Sequence, residues 1–74
     1  MRNKIVELNN LILDKFRSQA AFSRHIGWDR QHLNKIVNGD KQPSLEEVQT
    51  IAKGLRVPFM KIAKFFLRQQ SPNE

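Results

Sequence analysis

The chain has no cysteine among its 74 residues, which excludes disulfides and thiolate metal sites and fits a reducing compartment. No apolar run approaches the ~18 residues of a membrane span. The opening stretch MRNKIVELNN has neither the uninterrupted apolar segment nor the small-residue cleavage site of a secretory signal, so a cytoplasmic location is expected. Repeats, low-complexity tracts and alternating strand patterns of useful length are also missing. Acidic residues are scarce: seven Asp and Glu against thirteen Lys and Arg leave a net charge of +6 and a pI near 10.4. That excess suits a polyanionic partner such as nucleic acid, although charge alone is a weak signal. A single domain this short buries only roughly 60% of its unfolded surface, and compact helix packing or dimerisation is the natural remedy.

What is present is helical periodicity. Ile5, Leu8, Ile12 and Phe16 recur at helix spacing with Glu7, Asn10 and Asp14 opposite, predicting a first helix over about residues 3–15 with Asn3 as N-cap. Ser18 suits the N-cap of a second helix, about 19–26, which Gly27 ends. Asp29 is expected to cap a third, about 30–38, stopped by Asn38-Gly39. Ser44 and Glu47 form an S-x-x-E capping box, opening a fourth helix over about 45–54 with Leu45, Val48, Ile51 or Ala52, and Leu55 inward. Pro58 suits the start of a fifth, about 59–70, with Phe59, Ile62, Ala63 and Phe66 on its inner side. Residues 71–74 form a tail expected to fray. The fold class is therefore all-α.

The segment SQAAFSRHIGWDRQHLNKIVNG, residues 18–39, is the most informative. A small residue, Ser23, precedes Gly27 by four positions, and Leu33 and Ile36 follow six and nine positions later. Two short helices crossing at a tight turn need that spacing: a small side chain at the crossing, positive φ at the turn, apolar anchors beneath the second helix. This is the pattern of a helix-turn-helix, whose second helix enters the DNA major groove. With Leu33, Ile36 and Val37 inward, the third helix turns Gln31, Asn34, Lys35 and Asn38 outward, with Arg30 at its exposed start. Such side chains suit base edges: Arg and Lys donate to guanine, while Gln and Asn pair bidentately with adenine. No acid interrupts this face, whereas an ordinary solvated helix carries mixed charges in i,i+4 pairs.

From about Ser18 to Val57 the chain resembles the Cro and phage-repressor type of helix-turn-helix proteins, the XRE family. Its landmarks are Gln19, Phe22, Ile26, Gly27, Leu33, Ile36, Asn38-Gly39, Pro43-Ser44-Leu45-Glu46 and the AKGLRV segment. The resemblance implies a compact five-helix lambda-repressor-like domain, bacterial or phage-encoded, that binds double-stranded DNA without a cofactor. It implies base reading by Arg30, Gln31 and Lys35 with Asn34 beside them. Gln19 would bond a phosphate and brace the first reading residue, and Asn38, Lys41 and Gln42 would hold the backbone. Arg17 and Arg24 flank the same surface and add charge without sequence information. Four departures stand out. Ser23 replaces the usual Ala, and its hydroxyl can bond a carbonyl one turn earlier. Trp28 replaces a small aliphatic residue in the turn and is expected to cap the core beside Gly27. Gly54 and Arg56 disturb the fourth helix's ending, where Gly commonly sits two residues after position 54. Many relatives set a buried Arg in helix 1 against a Glu near the end of helix 3; here those positions are Ile12 and Val37, which are expected to touch.

The two histidines, His25 and His32, have no acidic cluster or cysteine at ligand spacing and read as exposed or phosphate-adjacent rather than as metal ligands. No nucleophile, base and orienter come together, so an enzyme is not expected. The apolar arc of the fifth helix is wider than one neighbour requires. Met60 and Leu67 extend it one way and Phe65 the other, pointing to a homodimer whose recognition helices lie about one DNA turn apart, ~34 Å. An antitoxin-like protein-interaction module using that helix is the alternative. Membrane-surface binding through Lys61, Lys64 and Arg68 explains the fifth helix alone and is not expected.

Overall fold

Ser18, Gly27 and Ser44 punctuate the chain where their chemistry demands. The computed structural model describes residues 5–70 and holds five helices: α1 (Val6–Phe16), α2 (Gln19–Ile26), α3 (Arg30–Val37), α4 (Leu45–Leu55) and α5 (Phe59–Gln70). Asn3, the Arg68 side chain and the tail 71–74 lie outside the described residues. Ser18 Oγ accepts from the Ala21 N–H at 3.0 Å. Ser44 and Glu47 close both halves of the capping box, at 3.2 and 2.9 Å. Gly27 and Gly39 take the left-handed conformation, φ +78° and +80°, that ends α2 and α3.

α1 begins later than periodicity indicates. Its N-cap is Ile5, which has no polar side chain to offer, and the Ile5 N–H donates instead to the Val37 carbonyl at 2.8 Å. A tertiary main-chain bond thus satisfies the N-cap amide itself, one of the helix's leading donors. At the far end of α4, Lys15 of α1 donates to the Leu55 carbonyl at 2.7 Å, satisfying one of the helix's orphan acceptors.

All five helices supply the core. Leu8 and Ile12 of α1, Phe22 of α2, Leu33, Ile36 and Val37 of α3, Ile51 and Leu55 of α4 and Ile62 of α5 are shut off from solvent. Each such side chain contributes roughly 1.5–3 kcal/mol by leaving water. Ile12 and Val37 are thus both fully buried in one continuous cluster. Leu45 is a correction: it is 75% exposed, not buried. Its angle on the wheel matches Val48 and Ala52, but it opens α4, and first-turn side chains lean back toward the N-terminus, past the end of the core.

Gly54 is explained by packing. An added Cβ would lie 2.6 Å from Ile26 Cγ2 and 2.9 Å from Phe22 Cε1, so α4 approaches α2 more closely than any side chain permits. The left-handed C-cap that follows falls to Arg56, φ +61°, the position where glycine is the usual occupant. Among the described residues no helix is long and apolar enough to cross a membrane.

Candidate nucleic-acid interface

The α2–turn–α3 unit rests on the close contact that Ser23 allows. Ser23 is 2% exposed, its hydroxyl donates to the Ala20 carbonyl at 2.8 Å, and its own carbonyl accepts from the Trp28 N–H at 2.8 Å. The chain therefore leaves α2 over the small side chain and enters α3 three residues after Gly27. Trp28 packs half-buried against the core, its ring edge-on to His32 with centroids 4.5 Å apart. Asp29 occupies the N-cap position of α3 but makes no side-chain cap bond, contrary to expectation. Its carboxylate stays exposed in water, where such a bond gains little.

With Leu33, Ile36 and Val37 buried, the opposite face of α3 must point outward. Arg30, Gln31, Asn34 and Lys35 are all exposed and line one concave surface with Ser18, Gln19 and Ala20 of the α2 start. Asp40 lines the same concavity, so an acid does join the face that α3 alone leaves free of acids. The reading residues expected from sequence are thus brought together beside the N-terminus of α2, whose unpaired N–H groups favour anions.

Side-chain amides knit this surface. Asn38 Nδ2 donates to Asn34 Oδ1 at 2.8 Å, Asn34 Nδ2 to Gln19 Oε1 at 3.1 Å, and Gln19 Nε2 to Asn9 Oδ1 at 2.8 Å. Gln19 braces Asn34, in the second turn of α3, rather than the first reading residue. Asn9 was not singled out by sequence; the periodicity that places Asn10 on the outer side of α1 carries no signal for it.

Glu47 gathers more than its cap. Its carboxylate accepts from Lys41 Nζ at 2.9 and 3.1 Å, lies 2.8 Å from His32 Nε2, and accepts from the Ser44 N–H at 2.9 Å. His32 is accordingly half-buried between Trp28 and Glu47, tying α3 to α4, rather than exposed or waiting for a phosphate. His25 is exposed and packs on Phe16, centroids 4.9 Å apart. Lys41, expected at a phosphate, has its ammonium engaged by Glu47. Partial burial raises the Glu47 carboxyl, but the Lys41 and Ser44 hydrogen bonds and the nearby Lys41 and His32 charges outweigh it, leaving the pKa below the usual 4.5. A group depressed in the folded state stabilises above its unfolded pKa and loses that contribution as pH falls through the folded value. Glu47→Gln retains the cap geometry but not the charge. It should cost about 0.5–1 kcal/mol at neutral pH, with the gap from wild type closing below about pH 4. Thermal melts of both proteins between pH 3 and 7, an interval set by the usual carboxylate range, check this; a gap independent of pH would contradict it.

Arg17, Arg24 and Gln42 are exposed, and Asn38 is half-buried at the end of α3. Arg17 caps α1 in the left-handed conformation, φ +72°. Met60 and Leu67, 55% and 59% exposed, border one apolar groove together with Leu45, Val48 and Ala63. Phe65 is half-buried against the core and lines a cleft with Leu11 and Asp14 of α1 as well as a hollow that it shares with Leu67, so Leu67 links Phe65 to the groove that Met60 borders. Among the described residues no group of three or more His, Cys, Asp or Glu could hold a metal.

In comparison with known proteins, residues 17–66 match the family model described as helix-turn-helix, which starts at the C-cap residue after α1 and takes in all of α2–α4 and most of α5. No curated protein and no solved structure matches the chain.

Proposed function

Because the chain belongs to the Cro/C1-type, XRE family of helix-turn-helix DNA-binding regulators, we propose that it represses transcription by occupying a pseudo-palindromic operator as a homodimer, in a bacterial or phage-infected cytoplasm. α3 lies in the major groove. A helix with side chains is ~10–12 Å across, matching a groove ~12 Å wide. The observation that carries this reading is the outward face of α3: Arg30, Gln31, Asn34 and Lys35, exposed together beside Gln19 on one concave surface. Arg30, Gln31, Asn34 and Lys35 read base edges; Gln19, Arg17, Arg24, Asn38, Lys41 and Gln42 contact phosphates, Lys41 exchanging Glu47 for the DNA backbone. Repression is the simplest outcome of such binding, since a domain seated on an operator obstructs polymerase.

The apolar groove between α4 and α5 supplies the dimer contact, through Met60 and Leu67 with Leu45 added and Phe65 at its margin. Pairing about a two-fold axis there covers apolar surface that this small core leaves open.

Selection of bound sites from a random duplex pool, followed by footprinting, tests the whole reading. A two-fold site with half-sites ~34 Å apart is expected. With about four phosphates per half-site, log affinity should fall against log salt with a slope near −7. Gln31→Ala or Lys35→Ala should each cost about 1–3 kcal/mol on the selected site and relax preference at one base pair. Equal loss on every duplex, or retention without sequence preference, would sink the reading and favour a protein partner.

A further inference from the structure

Four side-chain amides from three helices are joined in series: Asn38 to Asn34 to Gln19 to Asn9, each donating through nitrogen to the next one's oxygen. A primary amide has a donor end and an acceptor end of nearly the same shape, so a half-turn about its last bond exchanges them at little steric cost. In a series that freedom is coupled, and an amide can turn without loss only if its neighbours, down to Asn9 at the end, turn with it. Turning Gln19 alone would set its nitrogen against Asn34 Nδ2 and its oxygen against Asn9 Oδ1, trading two hydrogen bonds for two repulsions.

On the premise of the DNA-reading face above, we propose that Asn9 of α1 is a positioning residue for base recognition. Its oxygen fixes the Gln19 amide, and Gln19 in turn fixes which end of the Asn34 amide is offered to a base. Asn34 spends one N–H on Gln19 and one lone pair on Asn38, and retains one of each. Bidentate pairing with adenine needs the donor opposite N7 and the acceptor opposite the N6 amine. A turned amide presents the reverse order and loses that edge. Asn9 is half-buried and outside the apolar cluster, so its contribution lies in orientation rather than in packing.

The test compares binding to the selected operator and to variants of the base pair facing Asn34. Wild type, Asn9→Ala and Asn9→Asp are measured, each also with Asn34→Ala. Aspartate keeps an accepting oxygen and has no N–H, so it preserves the Gln19 orientation, while its charge weakens all duplexes alike. Asn9→Ala should narrow discrimination at that one base pair by about three- to tenfold and leave non-specific affinity unchanged. Asn9→Asp should restore discrimination at uniformly lower affinity, and neither change should alter discrimination in the Asn34→Ala background. Alanine is the better helix former, and melting curves confirm that the variant folds. Undiminished discrimination in Asn9→Ala, or an equal loss at every base pair, overturns the proposal. A wild type that selects no sequence overturns the DNA-reading premise itself, which separates the two failures.

Discussion

An Ile12→Arg variant is expected to be largely unfolded at room temperature, and the double variant Ile12→Arg/Val37→Glu to recover most of the fold. Both positions are completely buried in the same core, on helices that pack against each other. A guanidinium placed there without a partner loses its hydration and gains nothing; breaking such a buried pair costs about 3–5 kcal/mol. That is comparable with the whole stability of a small domain, about 5 kcal/mol at the lower end of the usual range. Adding the glutamate supplies a charge-assisted partner of the kind the resembling repressors carry at these positions. The double variant should still fall short of wild type by about 1–4 kcal/mol, because well-packed apolar groups outdo an ion pair in a dry interior. Denaturant melts of the four proteins close a thermodynamic cycle. A coupling energy of at least about 2 kcal/mol is expected, since two separate losses of about 3–5 kcal/mol shrink to about 1–4 kcal/mol when made together; additive losses would mean that the two side chains do not meet.

Gly54→Ala should destabilise the protein even though alanine is the best helix former and gains up to about 1 kcal/mol over glycine in a helix interior. The new Cβ meets Ile26 Cγ2 at 2.6 Å and Phe22 Cε1 at 2.9 Å. Neither atom is the loose end of a flexible chain: Cγ2 is a branch next to the backbone, and the Phe22 ring is fully enclosed. Forcing α4 from α2 costs about 1–3 kcal/mol in overpacking. The midpoint of thermal unfolding should drop by several degrees, at about 4–8 °C per kcal/mol for a domain of this size. Ile26→Ala removes the methyl in the way, so the pair of substitutions should be less harmful than their sum. A rise in melting temperature on Gly54→Ala would show that the two helices can part at no cost.

Much of this fold was legible because its signals are local. Ser18, Gly27, the Ser44–Glu47 box and Asn38-Gly39 act on main-chain groups within four residues, and their chemistry is the same in any context. The face of α3 was legible for a related reason: three buried positions at helical spacing determine the direction of all the others. What escaped was set by distance along an axis or by the meeting of separate helices. The wheel gives the angle of Leu45 but not that α4 starts beyond the core. Gly54 reads as a flaw in the ending of α4 until Phe22 and Ile26 are brought against it. The capping role of Glu47 was visible, yet its use as the meeting point of Lys41 and His32 depends on how α3 leans on α4. Asn9 has no periodic signature, because its partner lies ten residues away on another helix.

The bond from the Ile5 amide to the Val37 carbonyl has a mechanical consequence. The first turn of a helix is ordinarily where thermal loosening starts, since its leading amides have no partners of their own. Here that weak end is stitched, through a backbone N–H that only proline at position 5 would delete, to the last residue of α3. The two ends must come apart together or stay together, so the tilt of α3 is held by the same cooperative unit that holds the core.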